Sequence, residues 1–317
     1  MSTQTLTRAG TAIEVSGLRQ SYGDFEAVSG IDFTVPAGGL FALLGTNGAG
    51  KTTTMEVLEG FRPAAGGTAR LLGADPYRSR KTLRPRVGIM LQESGLLGDL
   101  TVAETVDLWR DLYPAPMTRA EVLDLVGLVD RSGVRVRQLS GGQKRRLDLA
   151  LAVVGRPEVL FLDEPTTGMD PEARIATWKL VRDQVASGTT VLLTTHYLEE
   201  AERLADQVAI MHRGEIRAAG TVSEVVAGHG DRIAFRVPAD VPIDTLPPVG
   251  GAPDITVEDG LPVARYTVTG GEPDGRAHRT VAALLAWAAS RDVTLDRLSV
   301  RPASLEDVFL TIVEENR

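Results

Sequence analysis

The chain has 317 residues and no cysteine, and its 34 Lys and Arg against 42 Asp and Glu give a formal net charge of -8 at pH 7. The missing cysteines exclude a disulfide framework, a zinc–thiolate site and a cysteine nucleophile. The acidic charge argues against broad, charge-driven binding to nucleic acid. No stretch reaches the roughly 18 apolar residues of a membrane-spanning helix, and the polar N-terminus lacks a signal-peptide core, so we expect a cytosolic, soluble chain.

The length predicts two domains. Strand and helix patterns alternate over the first ~230 residues, as in an α/β domain. Apolar and polar residues alternate over 31–35, which predicts a half-buried strand. Three other segments, 40–44, 159–162 and 191–193, are apolar throughout, which predicts strands covered on both faces. Residues 102–129 have helical spacing, with a break around 113–114.

The composition changes after about residue 228. We predict strands over 233–237 and 263–268, separated by a loop over 238–260 that is rich in Pro, Gly and Asp. A loose segment, 270–275, then leads to a helix that ends near Ser290. The last helix begins at Ser304, with Asp307 as its capping partner. This part is predicted to be a small α+β domain, residues 229–317.

A glycine-rich segment follows the apolar strand 40–44 directly. Residues 45–52 read GTNGAGKT and fit the pattern G-x-x-x-x-G-K-[ST]. The glycines let the backbone curl so that N–H groups converge on phosphate oxygens, and the helix that begins there adds its positive end. Lys51 is placed to reach the β- and γ-phosphates, and the Thr52 hydroxyl is a candidate Mg²⁺ ligand. A glycine-rich turn with no nucleotide is the alternative, and the motif by itself indicates only a P-loop NTPase.

A second candidate anion site is the segment LSGGQ, residues 139–143. Ser140 can cap the following helix, and the two glycines leave its first amides unobstructed. The bare SGG could equally be an ordinary helix start. Together with the P-loop, however, the pentapeptide closely resembles the signature motif of ATP-binding cassette (ABC) ATPases.

Two carboxylates follow the apolar strand 159–162. An acid at the end of a core parallel strand, beside the P-loop strand, can hold Mg²⁺ through water, and Asp163 fits that role. Glu164 is then placed to orient or deprotonate the attacking water. Adjacent acids on a loop are often only a solvated turn, but ligand sites in α/β sheets form at this edge. His196 follows the strand 191–193 and matches the switch histidine of the family, a γ-phosphate contact.

Three further positions are assigned through the resemblance. Gln92 resembles the family's glutamine loop, which contacts Mg²⁺ and passes nucleotide state to the partner. Asp170 belongs to the segment that crosses between monomers, where Met169 replaces the more usual leucine. Tyr22 lies where the family stacks an aromatic ring on adenine.

The resemblance covers residues 12–228 and implies an α/β fold: the P-loop NTPase core of an ABC ATPase with an antiparallel β subdomain and a helical subdomain at about 93–155, followed by the C-terminal α+β domain. It implies ATP and Mg²⁺ as cofactors and a head-to-tail dimer with an ATP between each P-loop and the partner's signature. Lys51, Glu164 and His196 would be catalytic, and Thr52, Gln92 and Asp163 would hold Mg²⁺. The ATP contacts implied are Tyr22, Gly45, Thr46, Asn47, Gly48, Ala49, Gly50, Lys51, Thr52, Thr53, Gln92, Ser140, Gly141, Gly142, Gln143 and Asp170.

Residues 301–310, RPASLEDVFL, look like the ending of ATPases from bacterial daunorubicin-resistance exporters. The apolar face of this tail either closes the core of its own small domain or makes a dimer or regulatory contact. The resemblance implies an ATPase that works with a separate membrane permease, bound peripherally at the cytoplasmic face of the cell membrane, with no nucleic-acid partner.

Two alternatives remain open. An importer ATPase is the nearest rival, although its usual C-terminal module differs from this ending. A soluble ABC ATPase acting on ribosomes or nucleic acid is less compatible with a single cassette and with the short interval 53–138. A non-catalytic nucleotide sensor would lack Glu164 or His196, and both are present.

Overall fold

The computed structural model describes residues 10–92, 95–249, 251–268 and 276–314. The described residues of the first part of the chain form nine strands: β1 (Thr11–Tyr22), β2 (Phe25–Pro36), β3 (Leu40–Gly45), β4 (Gly66–Leu71), β5 (Val87–Met90), β6 (Val159–Asp163), β7 (Thr190–Thr195), β8 (Gln207–His212) and β9 (Glu215–Gly220). Its described helices are α1 (Lys51–Leu58), α2 (Arg80–Leu83), α3 (Val102–Arg110), α4 (Arg119–Leu125), α5 (Gly141–Val153), α6 (Pro171–Ala186) and α7 (Leu198–Leu204).

The second part contains α8 (Val222–Val226), β10 (Asp231–Arg236), β11 (Asp254–Glu258), β12 (Leu261–Val268), α9 (Arg276–Ser290), β13 (Asp296–Arg301) and α10 (Leu305–Glu314). The chain divides into two compact units, Met1–Thr221 and Val222–Arg317. Helix α8, which we predicted to belong to the first domain, is part of the second unit, because it packs against α10. No helix among the described residues is both long and apolar enough to cross a bilayer.

A six-stranded sheet forms the centre of the first unit, in the order β5-β6-β7-β3-β8-β9. The first five of these strands are parallel, and β9 is antiparallel to β8. The three continuously apolar segments are strands, as predicted, and β3, β6 and β7 are buried at every position. Since parallel strands end at one edge, the residues that follow β3, β5, β6 and β7 are gathered there.

A three-stranded antiparallel sheet, in the order β2-β1-β4, packs with the central sheet in one apolar core. The predicted alternation over 31–35 is confirmed, with Ile31, Phe33 and Val35 buried and the residues between them exposed. The ring of Phe33 stacks on Phe41 of β3, with the ring centroids 4.9 Å apart. This stacking joins the two sheets at the P-loop strand β3.

The predicted helical subdomain contains α3, α4 and α5. The break expected near 113–114 is confirmed, because α3 ends at Arg110 and α4 begins at Arg119. Thr101 and Thr118 cap these two helices in capping boxes, each with the glutamate three residues on. Polar side chains therefore satisfy the first amides of both short helices.

The second unit is a four-stranded antiparallel sheet, in the order β11-β12-β10-β13, with helices α9 and α10. The predicted strands are present, but β11 lies inside the predicted loop and β13 was not predicted. Both missed strands are largely exposed, with burial patterns that do not alternate as a half-buried strand should. The predicted loose segment 270–275 lies outside the described residues.

The capping of the last helix is confirmed. The backbone N–H of Ser304 donates to the Asp307 carboxylate at 3.0 Å. Leu305, Val308 and Ile312 on the same helix are buried. This burial favours the alternative in which the tail closes the core of its own unit.

Candidate active site

The P-loop conformation depends on its glycines. Gly48 and Gly50 have φ angles of 78° and 103°, in the left-handed region that side chains disfavour. A Cβ at Gly50 would also lie 2.5 Å from the carbonyl oxygen of Ala27. Only glycine fits at this position, which is immediately before the first residue of α1.

Lys51 begins α1 and is buried. Its Nζ donates to the carbonyl oxygens of Gly45 at 2.8 Å and Thr46 at 3.1 Å, so the ammonium lies within the curl of the loop. Burial lowers the pKa of Lys51, and the nearby carboxylates of Glu164 and Asp163 oppose that shift. The loop therefore holds a desolvated cation next to the two acids predicted to act on ATP.

Asp163 is buried at the end of β6 and accepts a hydrogen bond from the Thr194 hydroxyl. Burial raises its pKa, with a further contribution from Glu164, while Thr194, Arg145 and Lys51 act in the opposite direction. A desolvated carboxylate of this kind is stabilised by a nearby cation. With the Thr52 hydroxyl and the Gln92 amide it offers oxygen ligands only, the set that Mg²⁺ prefers, so the residues present fit Mg²⁺.

Glu164 has a φ angle of 49°, which is unusual for a residue other than glycine. Its backbone N–H donates to the carbonyl and the hydroxyl oxygen of Thr194, at 3.1 and 3.2 Å. Its carboxylate accepts from the Thr167 hydroxyl at 3.2 Å, and the Nδ1 atom of His196 lies 3.3 Å from its Oε1 atom. The predicted base and the predicted switch histidine are thus in direct contact.

A cleft of about 380 Å³ lies over the P-loop. Its lining contains nine of the predicted residues, namely Tyr22, Asn47, Gly48, Gly50, Lys51, Thr52, Thr53, Gln92 and Glu164. The cleft therefore joins the end of β1, the P-loop, the segment after β5 and the segment after β6. Its volume and polar floor suit a nucleotide.

Tyr22 is 41% exposed at the edge of this cleft. Its hydroxyl donates to the Glu56 carboxylate at 3.1 Å, and the guanidinium of Arg62 lies 4.7 Å from its ring centroid. Phe25 was missed by the sequence analysis, although it also lines the cleft and is 64% exposed. The turn between β1 and β2 brings the two rings to the same site, which the sequence shows only as two aromatics three positions apart.

The signature segment lies elsewhere. Ser140 caps α5 and forms a capping box with Gln143, whose backbone N–H donates to the Ser140 hydroxyl at 3.2 Å. Ser140 and Gly141 are exposed, and the described residues that line the cleft include none from 140–143. Asp170 is also exposed and caps α6 by accepting from the Ala173 N–H at 2.9 Å. The fold does not bring the signature or Asp170 to the P-loop of the same chain.

The sequence analysis also missed two buried charged residues near the site. Glu200 on α7 accepts from the Trp178 indole at 2.9 Å and from the Thr166 hydroxyl at 3.1 Å, and burial raises its pKa. Arg145 on α5 donates to main-chain oxygens on both sides of the cleft. Neither belongs to a motif that we used, and their partners are distant in sequence. His212, the last residue of β8, is also buried.

A separate apolar groove of about 310 Å³ lies between the end of α1, strand β5 and the helical subdomain. Leu91, Trp109 and Leu112 line it, and Leu112 is 69% exposed. Glu59 lies at the same groove, and burial raises its pKa to about 8, with Asp163 and Glu56 adding to the effect. The groove begins next to Gln92, so it adjoins the nucleotide cleft.

The chain is similar to proteins of known families. Residues 28–167 match the ABC transporter family, and residues 231–304 match the C-terminal domain of ABC transporter domain-containing-like proteins. The daunorubicin resistance ATP-binding protein DrrA3 of Streptomyces coeruleorubidus is 36% identical over 98% of both chains. The Nod factor export ATP-binding protein I of Paraburkholderia xenovorans is 37% identical over 95% of this chain and 96% of its own.

Among solved structures, an ATP-binding subunit of an ABC transporter is 29% identical, with a TM-score of 0.63, over 68% of this chain and 92% of its own. These findings confirm the predicted fold class and the predicted resemblance to the daunorubicin-resistance type. The chain belongs to the ATP-binding, ATP-hydrolysing subunits of ABC transporters.

Proposed function

We propose that the chain powers export of a drug, antibiotic or lipid-like substrate through a separate membrane permease, with two ATP molecules bound between two head-to-tail copies. One observation supports the dimer: the N-terminus of α5, which the sequence predicts to be a second anion site, is exposed and does not line the cleft of its own chain. A second copy can place Ser140 and the following amides against the γ-phosphate. The P-loop of one copy and the start of α5 of the other are two half-sites, and together they make one complete ATP site.

Within each half-site the chain's own residues position ATP and the attacking water. The P-loop N–H groups and Lys51 bind the phosphates, and the ammonium exchanges its loop carbonyls for phosphate oxygens. Thr52, Asp163 and Gln92 would hold Mg²⁺, which would supply charge neutralisation at the phosphates. Glu164 orients the water and accepts its proton. His196 holds the Glu164 carboxylate and contacts the γ-phosphate.

Hydrolysis would separate the two copies. The γ-phosphate is the group that the P-loop of one copy and the signature of the other would both contact. Its release removes charge-assisted hydrogen bonds from the interface, which is the usual physical basis of a nucleotide switch. Opening and closing of the dimer would then drive the permease.

The apolar groove is the surface proposed to bind the permease. Leu91 and Leu112 are exposed there, and exposed apolar surface of this kind marks a protein contact. Its position next to Gln92 would let nucleotide state reach the permease. Binding at the cytoplasmic face of the membrane would then be peripheral. The names of the two relatives refer to resistance to daunorubicin and to export of Nod factor, which supports export as the direction.

The test is recovery of the chain with membranes, with and without co-expression of a candidate permease from the neighbouring reading frame. We expect recovery only with the permease, and we expect Leu112→Glu to lose it. Leu108→Glu is the matched control, because Leu108 is exposed on the same segment but does not line the groove. Equal recovery without any permease, or no effect of Leu112→Glu, would contradict the proposal.

A further inference from the structure

The side chain of Arg145 connects two segments that are far apart in sequence. It is buried on α5, the helix that the signature segment begins. One terminal nitrogen donates to the carbonyl oxygens of Leu91 at 2.6 Å and Gln92 at 3.1 Å. The other donates to the carbonyl oxygens of Asp163 and Glu164, the latter at 2.8 Å. One guanidinium therefore serves four main-chain oxygens.

These oxygens lie where two neighbouring strands stop pairing. The ladder between β5 and β6 extends from Val87 to Met90 on one strand and to Leu162 on the other. Beyond that pair β5 ends, whereas Asp163 still pairs with Thr194 of β7, and Gln92 and Glu164 both line the cleft. The four carbonyl oxygens lie past the β5–β6 ladder, which therefore gives them no donor, and Arg145 supplies one to each.

The hydrogen bond from Arg145 to the carbonyl oxygen of Glu164 affects the Glu164 side chain, because the backbone of Glu164 is left-handed. A left-handed φ is unfavourable for a residue other than glycine, so it persists only where the surroundings hold it. Thr194 holds the N–H of Glu164 and Arg145 holds its carbonyl oxygen. The backbone is thus fixed on both sides of the residue, and this fixes the direction from which the carboxylate enters the cleft.

We propose that Arg145 is a positioning residue for ATP hydrolysis, which acts by holding the main chain of Glu164 against that of Gln92. The inference rests on the proposed role of Glu164 as the base. A planar guanidinium reaches both strand ends at once, whereas the single ammonium of lysine reaches one. A base displaced by about 1 Å can lose roughly 100-fold in rate, so the effect falls on kcat.

The experiment compares Arg145→Lys and Arg145→Met with wild type in the full-length chain. For Arg145→Lys, which keeps a buried cation, we expect kcat to fall about 10- to 100-fold while KM for ATP stays within about threefold. Arg110→Met is the matched control. Arg110 also donates to a main-chain oxygen, that of Met117 at 2.8 Å, but neither residue lines the nucleotide cleft. We expect this control to lower the urea midpoint and keep kcat within twofold.

A double-mutant cycle separates positioning from general structure. If Arg145 acts through Glu164, Arg145→Lys costs much less in a Glu164→Gln background, measured by single-turnover hydrolysis. The same fold-loss in both backgrounds, or a wild-type kcat in a folded Arg145→Lys protein, would overturn the inference. If Arg145→Met does not fold, the kcat of Arg145→Lys relative to wild type tests the inference. Wild-type turnover of Glu164→Gln alone would instead remove the proposed base.

Discussion

The Nδ1 atom of His196 lies 3.3 Å from the Oε1 atom of Glu164. The two residues follow different strands, β7 and β6, that are hydrogen-bonded neighbours in the central sheet. The second oxygen of the same carboxylate accepts from the Thr167 hydroxyl. The carboxylate of Glu164, which lines the cleft, therefore contacts one side chain from the segment after β7 and one from the segment after β6.

Glu164→Gln tests the base directly. Gln keeps the size of the side chain but cannot accept a proton, so we expect ATP binding to be retained and kcat to fall by about 100-fold or more. Phosphate release measures the rate, and a fluorescent ATP analogue measures binding. Turnover at the wild-type rate would exclude Glu164 as the base.

Ser140→Arg tests the second half-site. The larger side chain would fill the space over the first amides of α5, so we expect hydrolysis to be lost. Binding of ATP by the P-loop should remain, because Ser140 does not line that cleft. Ser140→Thr is the control, since threonine can also cap a helix. A variant that loses binding and hydrolysis together would argue against a site shared by two copies.

Tyr22→Ala tests the stacking proposed for the adenine. Removing an aromatic ring from a base costs about 1 kcal/mol or more, so we expect KM for ATP to rise about fivefold or more with little change in kcat. Tyr22→Phe keeps the ring and loses only the hydroxyl that donates to Glu56. It should resemble wild type. An unchanged KM in Tyr22→Ala would transfer the role to Phe25, which lines the same cleft.

The second unit should lose stability in acid through Asp307. Burial alone would raise its pKa, but hydrogen bonds from Arg301 and Ser304 lower the pKa to about 2. Because the folded pKa lies below the ordinary value of 3.8, the stabilisation is complete above about pH 4 and is lost as pH falls toward 2. It amounts to about 2 kcal/mol. Asp307→Asn should remove it.

The free energy of unfolding, measured in urea between pH 2 and pH 6, checks this prediction. The difference between wild type and Asp307→Asn should shrink as the pH falls. Glu306→Gln is the matched control, because Glu306 is exposed on the same helix and accepts none of these bonds. A difference that stays constant with pH would show that the Asp307 carboxylate is not held in its charged form.

Of the strands described in the first unit, the sequence predicted β2, β3, β6 and β7 but did not locate β1, β4, β5, β8 or β9. Strands buried on both faces are continuously apolar, so β3, β6 and β7 could be recognised from composition alone. The residues after each strand could then be assigned to one edge of the sheet. In the second unit, β11 and β13 bury too little to leave a pattern, and they were missed.

By itself, the sequence determined the ATPase class of this protein, because the P-loop, the signature and the acids must occur as short local motifs in a fixed order. How these motifs meet in space depends on the fold. The contact between His196 and Glu164 and the hydrogen bonds of Arg145 join residues from different strands and helices. The left-handed backbone of Glu164 is held by such contacts. No local pattern encodes such contacts, because they depend on where the elements end relative to one another in the folded sheet.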